Sequence, residues 1–180
     1  MRCCLSLAVL CILACGACFA AETPEPSPDV VRLLPATGDV TGWEVYPDTL
    51  VYVEGDDLTQ IYDGGYELYK SKGVLRAAQQ MYKKDKLIAT VTVHGMSAMS
   101  SAKNLFKYFQ KSDKKLPTYK KLWILTESYV YSADGSSNGN LFRYTFFATV
   151  TVNAESASGR TAAEAFLKTV SAKYMKLAGH

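Results

Sequence analysis

The chain has 180 residues, 48% of them hydrophobic, a formal net charge of +3, and five cysteines that all fall within the first eighteen positions. That placement removes disulfides, thiolate metal sites and cysteine nucleophiles from everything downstream, and it points out of the cytoplasm. A charge this close to neutral also argues against nucleic acid as a partner.

At the amino terminus, Arg2 is followed by an apolar run from Cys3 to Ala14, then by small residues at Gly16, Ala17, Ala20 and Ala21. A run of that length is too short to span a bilayer as a helix, which takes about 20 residues. Residues 1–20 therefore read as a signal peptide of a periplasmic or secreted protein, with two modes of processing. One is a cut before Ala21. The other is a lipobox, Ile12-Leu13-Ala14-Cys15, that places a lipid anchor on Cys15. Residues 21–29 hold three prolines and no apolar face, which makes them a disordered tether. Residues 30–180 have the length of a single domain.

Charge is segregated along this domain. Glu22 to Glu67 carries eleven acidic residues against one basic residue, whereas Leu68 to Leu125 carries thirteen basic against two acidic. Either the two blocks intersperse in the fold, or the second forms a basic face for an anionic partner such as a lipid headgroup or a polysaccharide.

Asp56 and Asp57 precede Leu58, Ile61, Tyr62, Gly65, Leu68 and Tyr69 at helical spacing, with Gly73 as a C′ glycine, and predict a helix from Asp57 to Lys72. Val74 to Lys83 and Leu87 to Met96 are strand-like and joined by a charged turn, which predicts a hairpin. A second helix follows, with Ala98, Ala102, Leu105, Phe106 and Phe109 on its apolar stripe and Lys103, Lys107 and Lys111 opposite. Phe106 and Phe109 are its expected core anchors. Strands near Tyr119 to Leu125 and Tyr129 to Ser132 lead to a turn over Asp134 to Gly139. The strongest strand pattern comes next: Phe142, Tyr144, Phe146, Ala148, Val150 and Val152 alternate with Arg143, Thr145, Thr149 and Thr151. Thr161 and Glu164 form a capping-box pattern that opens a last helix through Phe166, Val170, Tyr174 and Leu177. Adjacent hairpins interrupted by helices give an α+β class, a mostly antiparallel sheet with about three helices packed on one face.

The least ordinary local feature is Asp63-Gly64-Gly65-Tyr66-Glu67-Leu68-Tyr69, because each glycine inside a helix costs about 1 kcal/mol relative to alanine. One reading has Gly65, on the apolar stripe, pressing the helix backbone onto the sheet. The other has the pair breaking the helix and offering backbone amides to a ligand. The second makes Asp63, Gly64, Gly65, Glu67 and Tyr69 the candidate binding residues.

Together with Leu33-Leu34-Pro35 and Gly42-Trp43, this motif resembles a family of exported bacterial proteins classed as a domain of unknown function, with a signature close to Asn-Gly-Gly-Ala-Glu-Leu-Tyr. Asp63 stands here for the asparagine and Tyr66 for the alanine. The resemblance implies export and an α+β domain and supplies no reaction. A looser likeness, resting on Pro35, Gly42-Trp43 and the order of elements, is to the secreted PsbP-like and Mog-like α/β/α sandwiches, which are mainly binding or assembly modules.

Metal and cofactor sites are not expected. Glu54, Asp56, Asp57 and Asp63 cluster in sequence, but their spacing is not that of an EF-hand, and the two aspartates serve better as a cap and first-turn acids. Of two histidines, His180 ends the chain and His94 reads as a strand-end residue. No catalytic residue is assigned: a serine triad lacks its Gly-x-Ser-x-Gly, and Glu54, Glu67 and Glu127 cannot be placed in one cleft. Twelve tyrosines exceed the needs of a core this size. They read as rims with wet hydroxyls at Tyr62, Tyr69, Tyr82, Tyr129 and Tyr144, or as a binding surface for carbohydrate or peptide. The reading is an exported, non-enzymatic binding or envelope-associated module for an unknown envelope or extracellular ligand. It meets the membrane only through an anchor at Cys15. A carboxylate-dependent hydrolase and a structural or assembly partner in the cell envelope are the alternatives.

Overall fold

The computed structural model describes residues 29–62, 64–124 and 126–179. The signal peptide, Cys15, the greater part of the tether, Asp63 and His180 lie outside the described residues. In chain order the elements are α1 (Val30–Leu33), β1 (Glu44–Val45), β2 (Val51–Glu54), a 3₁₀ helix (Gly55–Gln60), α2 (Tyr66–Ser71), β3 (Val74–Lys84), β4 (Leu87–Met96), α3 (Met99–Asp113), β5 (Lys120–Ile124), β6 (Thr126–Ala133), β7 (Ser136–Arg143), β8 (Phe146–Val152) and α4 (Ala157–Leu177). The fold is α+β. All eight strands form one antiparallel sheet in the order β1-β3-β4-β8-β7-β6-β5, with β2 also paired to β3.

Helices cover both faces of this sheet rather than the single face expected, because the strands are apolar on both sides along part of their length. On one face Ala89, Val91 and Val93 of β4, with Ala148 and Val150 of β8, meet Phe166, Leu167 and Val170 of α4 and Leu33 of α1. Trp43 packs edge-on to Phe166 at 5.2 Å there. On the other face Phe147, Tyr129 and Ala77 meet Ala102, Leu105 and Phe106 of α3 and Leu58 of the 3₁₀ helix. Phe106 is fully buried, whereas Phe109 is only half-buried at the edge of the cluster.

Four local expectations give way to tighter geometry. The helix from Asp57 to Lys72 is divided into the 3₁₀ helix and α2, and Gly64 between them sits at φ +71°. That conformation disfavours side chains with a Cβ. The turn over Asp134 to Gly139 shrinks to Asp134-Gly135, with φ +52° and +76° as a two-residue hairpin turn requires, and Ser136 already belongs to β7. The long run from Phe142 to Val152 is not one strand. It folds back at Tyr144-Thr145, where Tyr144 takes φ +46° and Arg143 pairs with Phe146. Lastly, α4 starts a turn earlier than its capping-box pattern implies: Ser156 is the N-cap and accepts from the Gly159 amide at 3.0 Å. Glu164, inside the helix, pairs with Lys168 at 2.8 Å.

Candidate functional site

The register lays out the α3-facing side of the sheet in three rows that run across the strands. The innermost row, Phe142-Phe147-His94-Ala77-Val53, is mainly apolar and lies under α3 and the 3₁₀ helix. The next row is Tyr129-Asn140-Thr149-Thr92-Gln79, and the outermost is Tyr131-Asn138-Thr151-Thr90-Met81. Nine of these ten side chains carry a hydroxyl or an amide. Alternation along each strand explains the layout, since residues two apart share a face. At about 4.8 Å between strands, the polar strip is about 19 Å long.

α3 covers the Tyr129 end of this strip, and a groove of about 190 Å³ remains over its β7–β8 part. Asn138, Asn140, Thr149 and Thr151 form the floor, and Tyr69, Phe109 and Tyr131 the walls. Among the described residues no charged side chain lines it. The floor is held in place by its own hydrogen bonds: Thr151 Oγ1 donates to Asn138 Oδ1 at 3.0 Å, and Asn138 Nδ2 donates to Ser136 Oγ at 2.9 Å. At one end, Tyr129 OH donates to the buried Asp113 carboxylate of α3 at 2.7 Å, and Asn140 Nδ2 donates to Tyr129 OH at 2.9 Å. Burial pushes Tyr131 up to about 12, with Asp113 adding to the effect, so its hydroxyl stays protonated and can donate.

Behind the groove lies an aromatic nest around His94, which is 1% exposed. His94 Nδ1 shares a 2.5 Å hydrogen bond with Tyr62 OH, and its ring stacks on Phe147 at 5.2 Å. Tyr69 stacks on Tyr62 at 3.9 Å and leans towards His94. Nε2 of His94 is buried with no hydrogen-bond partner. Loss of hydration pulls the imidazole down to about 3, so it is neutral at any ordinary pH. His94 is therefore a core residue under the helices rather than an ordinary strand-end one. The expectation of wet tyrosine hydroxyls fails at Tyr62, Tyr82 and Tyr129. Tyr82 is buried and donates to Pro35 O at 2.9 Å, and Tyr129 and Tyr62 bond to Asp113 and His94 as described. Tyr144 remains at the surface.

The sequence-derived residues do not share one site. Gly64 and Glu67 line a separate open groove of about 560 Å³ together with Thr59, Gln60, Ile61, Tyr62 and Tyr66. Gly65 is the N-cap of α2, and a Cβ there would meet the Tyr69 ring at 3.5 Å, an ordinary contact. Packing of the helix backbone on the sheet does not explain that glycine. Tyr69 points to the opposite side of α2 and walls the polar groove. Asp56, considered above as a cation ligand, accepts instead from Lys70 at 2.8 Å and Tyr66 OH at 2.7 Å, which lowers its pKa. Glu54 accepts from Tyr52 OH, and Glu127 lies 3.6 Å from Lys107 Nζ. Among the described residues no three His, Cys, Asp or Glu side chains come together as metal ligands.

Sequence reasoning missed Asn138, Asn140, Thr149 and Thr151 as a unit. The signal was present, since threonine alternates with apolar residues along 147–152, but Asn138 falls in the expected turn over Asp134 to Gly139 and Asn140 in no expected element.

No protein-family model matches the chain, and no curated protein matches it. Among solved structures, it is similar to the extracellular domain of PknH from Mycobacterium tuberculosis, with a TM-score of 0.51 and 10% identity over 83% of this chain and 98% of that one. At that identity the two share a fold.

Proposed function

We propose that this chain is an exported binding module whose groove over β7 and β8 takes a neutral, hydroxyl-rich ligand, a saccharide. The observation that carries this reading is the composition of the groove: two amides and two threonine hydroxyls on the floor, aromatic walls, and, among the described residues, no charged side chain lining it. Amides and hydroxyls each donate and accept, which suits sugar hydroxyls, and the half-buried rings of Tyr69 and Phe109 give the apolar face of a pyranose something to lie on. Export is supported by the amino-terminal pattern of residues 1–20, and the similar PknH domain is extracellular. No helix among the described residues is long and apolar enough to cross a membrane.

The test is NMR titration of the labelled chain with neutral and with acidic oligosaccharides. The expected result is saturable shifts clustered on Asn138, Thr149, Thr151 and Tyr131 with neutral sugars, abolished by Thr149→Val. If no neutral saccharide moves these residues at millimolar concentration, the reading fails.

A further inference from the structure

α3 presents different chemistry on its two flanks. Phe109 walls the groove on one flank. On the other, Lys103, Lys107 and Lys111 of the helix and Lys114 just beyond it fall within an arc of about 80° at about 100° per residue. The single acid of α3, Asp113, is buried. Two contacts settle where the lysine flank faces: Lys107 Nζ lies 3.6 Å from Glu127 Oε2, and Gln110 Nε2 donates to Tyr119 OH at 2.9 Å. Glu127 lies in β6 and Tyr119 immediately precedes β5, so the stripe runs along the β5–β6 edge of the sheet.

Trp123 stands there, opposite Glu127 in the strand register and 88% exposed. Lys121 Nζ lies 4.8 Å from its ring centroid. The other tryptophan, Trp43, is 4% exposed in the core. The patch thus sets five lysines and one solvent-facing indole against the single carboxylate of Glu127, whose surface ion pair offsets little. Trp123 lines neither of the grooves described above.

We propose that this edge docks on an anionic phospholipid surface, with the lysines over the headgroups and Trp123 in the interfacial layer. Indole rings partition to the headgroup level of bilayers because one part is apolar and the N–H needs a polar neighbour. Lysines on a flexible stem place their charge among anionic headgroups while the stem covers apolar surface. An anionic polysaccharide would also satisfy the lysines, but only Lys107 of the five lines a groove, one shared with Lys70 and Lys72, and Trp123 stands outside that concavity. A flat bilayer needs no concavity. This is a route to the membrane separate from an anchor at Cys15, and it does not depend on what the groove binds.

The experiment uses the full chain with vesicles of phosphatidylcholine alone or mixed with phosphatidylglycerol, each containing brominated lipid, and reads tryptophan emission. Quenching is expected with the anionic vesicles, at least about fivefold more than with neutral ones, and falling with added salt. Trp123→Phe should remove the quenching. Lys107→Glu with Lys111→Glu should weaken vesicle affinity at least about tenfold while leaving the urea midpoint and the groove's NMR shifts unchanged. Equal behaviour on neutral and anionic vesicles would overturn the proposal, because a lipid anchor alone gives that result. Retention on a sulfated polysaccharide without quenching by lipid would overturn it in favour of a polyanion.

Discussion

Acidification should destabilise the domain through a single residue, His94. Its folded-state value is pulled down to about 3 by burial, whereas in the unfolded chain it titrates near 6.5. The native state is favoured fully above the unfolded value, and its advantage is lost as pH falls, since only the unfolded chain can take up the proton. Between pH 7 and pH 5 the unfolded imidazole goes from about one-quarter to nearly fully protonated, which integrates to a loss of about 2 kcal/mol. The depressed carboxylates Asp39, Asp56 and Glu164 act in the same direction, but only as pH falls towards their ordinary values near 4, outside this window. Among the described residues His94 is the only histidine. Urea unfolding at pH 7, 6 and 5, followed by the fluorescence of buried Trp43, measures the effect. His94→Gln should be less stable at pH 7 yet flat across the window. A wild-type change below about 0.5 kcal/mol would refute the reasoning, because a fully desolvated imidazole cannot remain proton-neutral between states.

Three further outcomes follow from the packing. Gly64→Ala should cost about 1–2 kcal/mol because φ is +71°, while Gly65→Ala, with the Tyr69 ring at an ordinary 3.5 Å, should cost under about 1 kcal/mol as an N-cap change; thermal unfolding of the pair checks the contrast. Phe106→Ala should cost about 3–5 kcal/mol in denaturant unfolding, and Phe109→Ala clearly less, since half of that ring already faces the groove. Tyr129→Phe should cost about 1–3 kcal/mol by leaving the buried Asp113 carboxylate without its 2.7 Å donor, and the loss should appear in the same unfolding assay.

Those contrasts also mark how far the sequence was legible. The β3–β4 hairpin could be read almost to the residue, because its alternation is bounded by a charged turn and its neighbours are not strand-like. Lys72-Gly73 closes α2 as expected, with Gly73 at φ +85°, and Leu105 and Phe106 are core residues as the α3 stripe implied. What periodicity could not reveal was any break inside a continuous pattern. The apolar spacing of Leu58, Ile61, Leu68 and Tyr69 survives division into two short helices, since both halves pack on the same sheet face. The polar groove was hidden for a related reason. Its floor residues come from β7 and β8, which sequence reading had merged with a turn on one side and with each other on the other. Asn140 and Thr149 become neighbours only through strand register, which is a property of the folded sheet.

The reversal at Tyr144-Thr145 bears on how the chain reaches this fold. In the native hairpin Phe142 lies on the α3 face and Phe146 on the α4 face; were the same residues extended as one strand, both would share a side. The segment can therefore follow two mutually exclusive arrangements, and the extended one is a run of high β-propensity with Arg143 as its sole charge. Such a run, exposed in a nascent or partly unfolded chain, is a template for pairing between molecules. An L-residue at positive φ opposes the bend, so local preference favours the extended form. Only long-range burial, of Phe147 under α3 and of Phe146 against Tyr174 at 5.0 Å, tips the balance. Until both helices have docked, the competition between folding and self-association turns on one backbone angle.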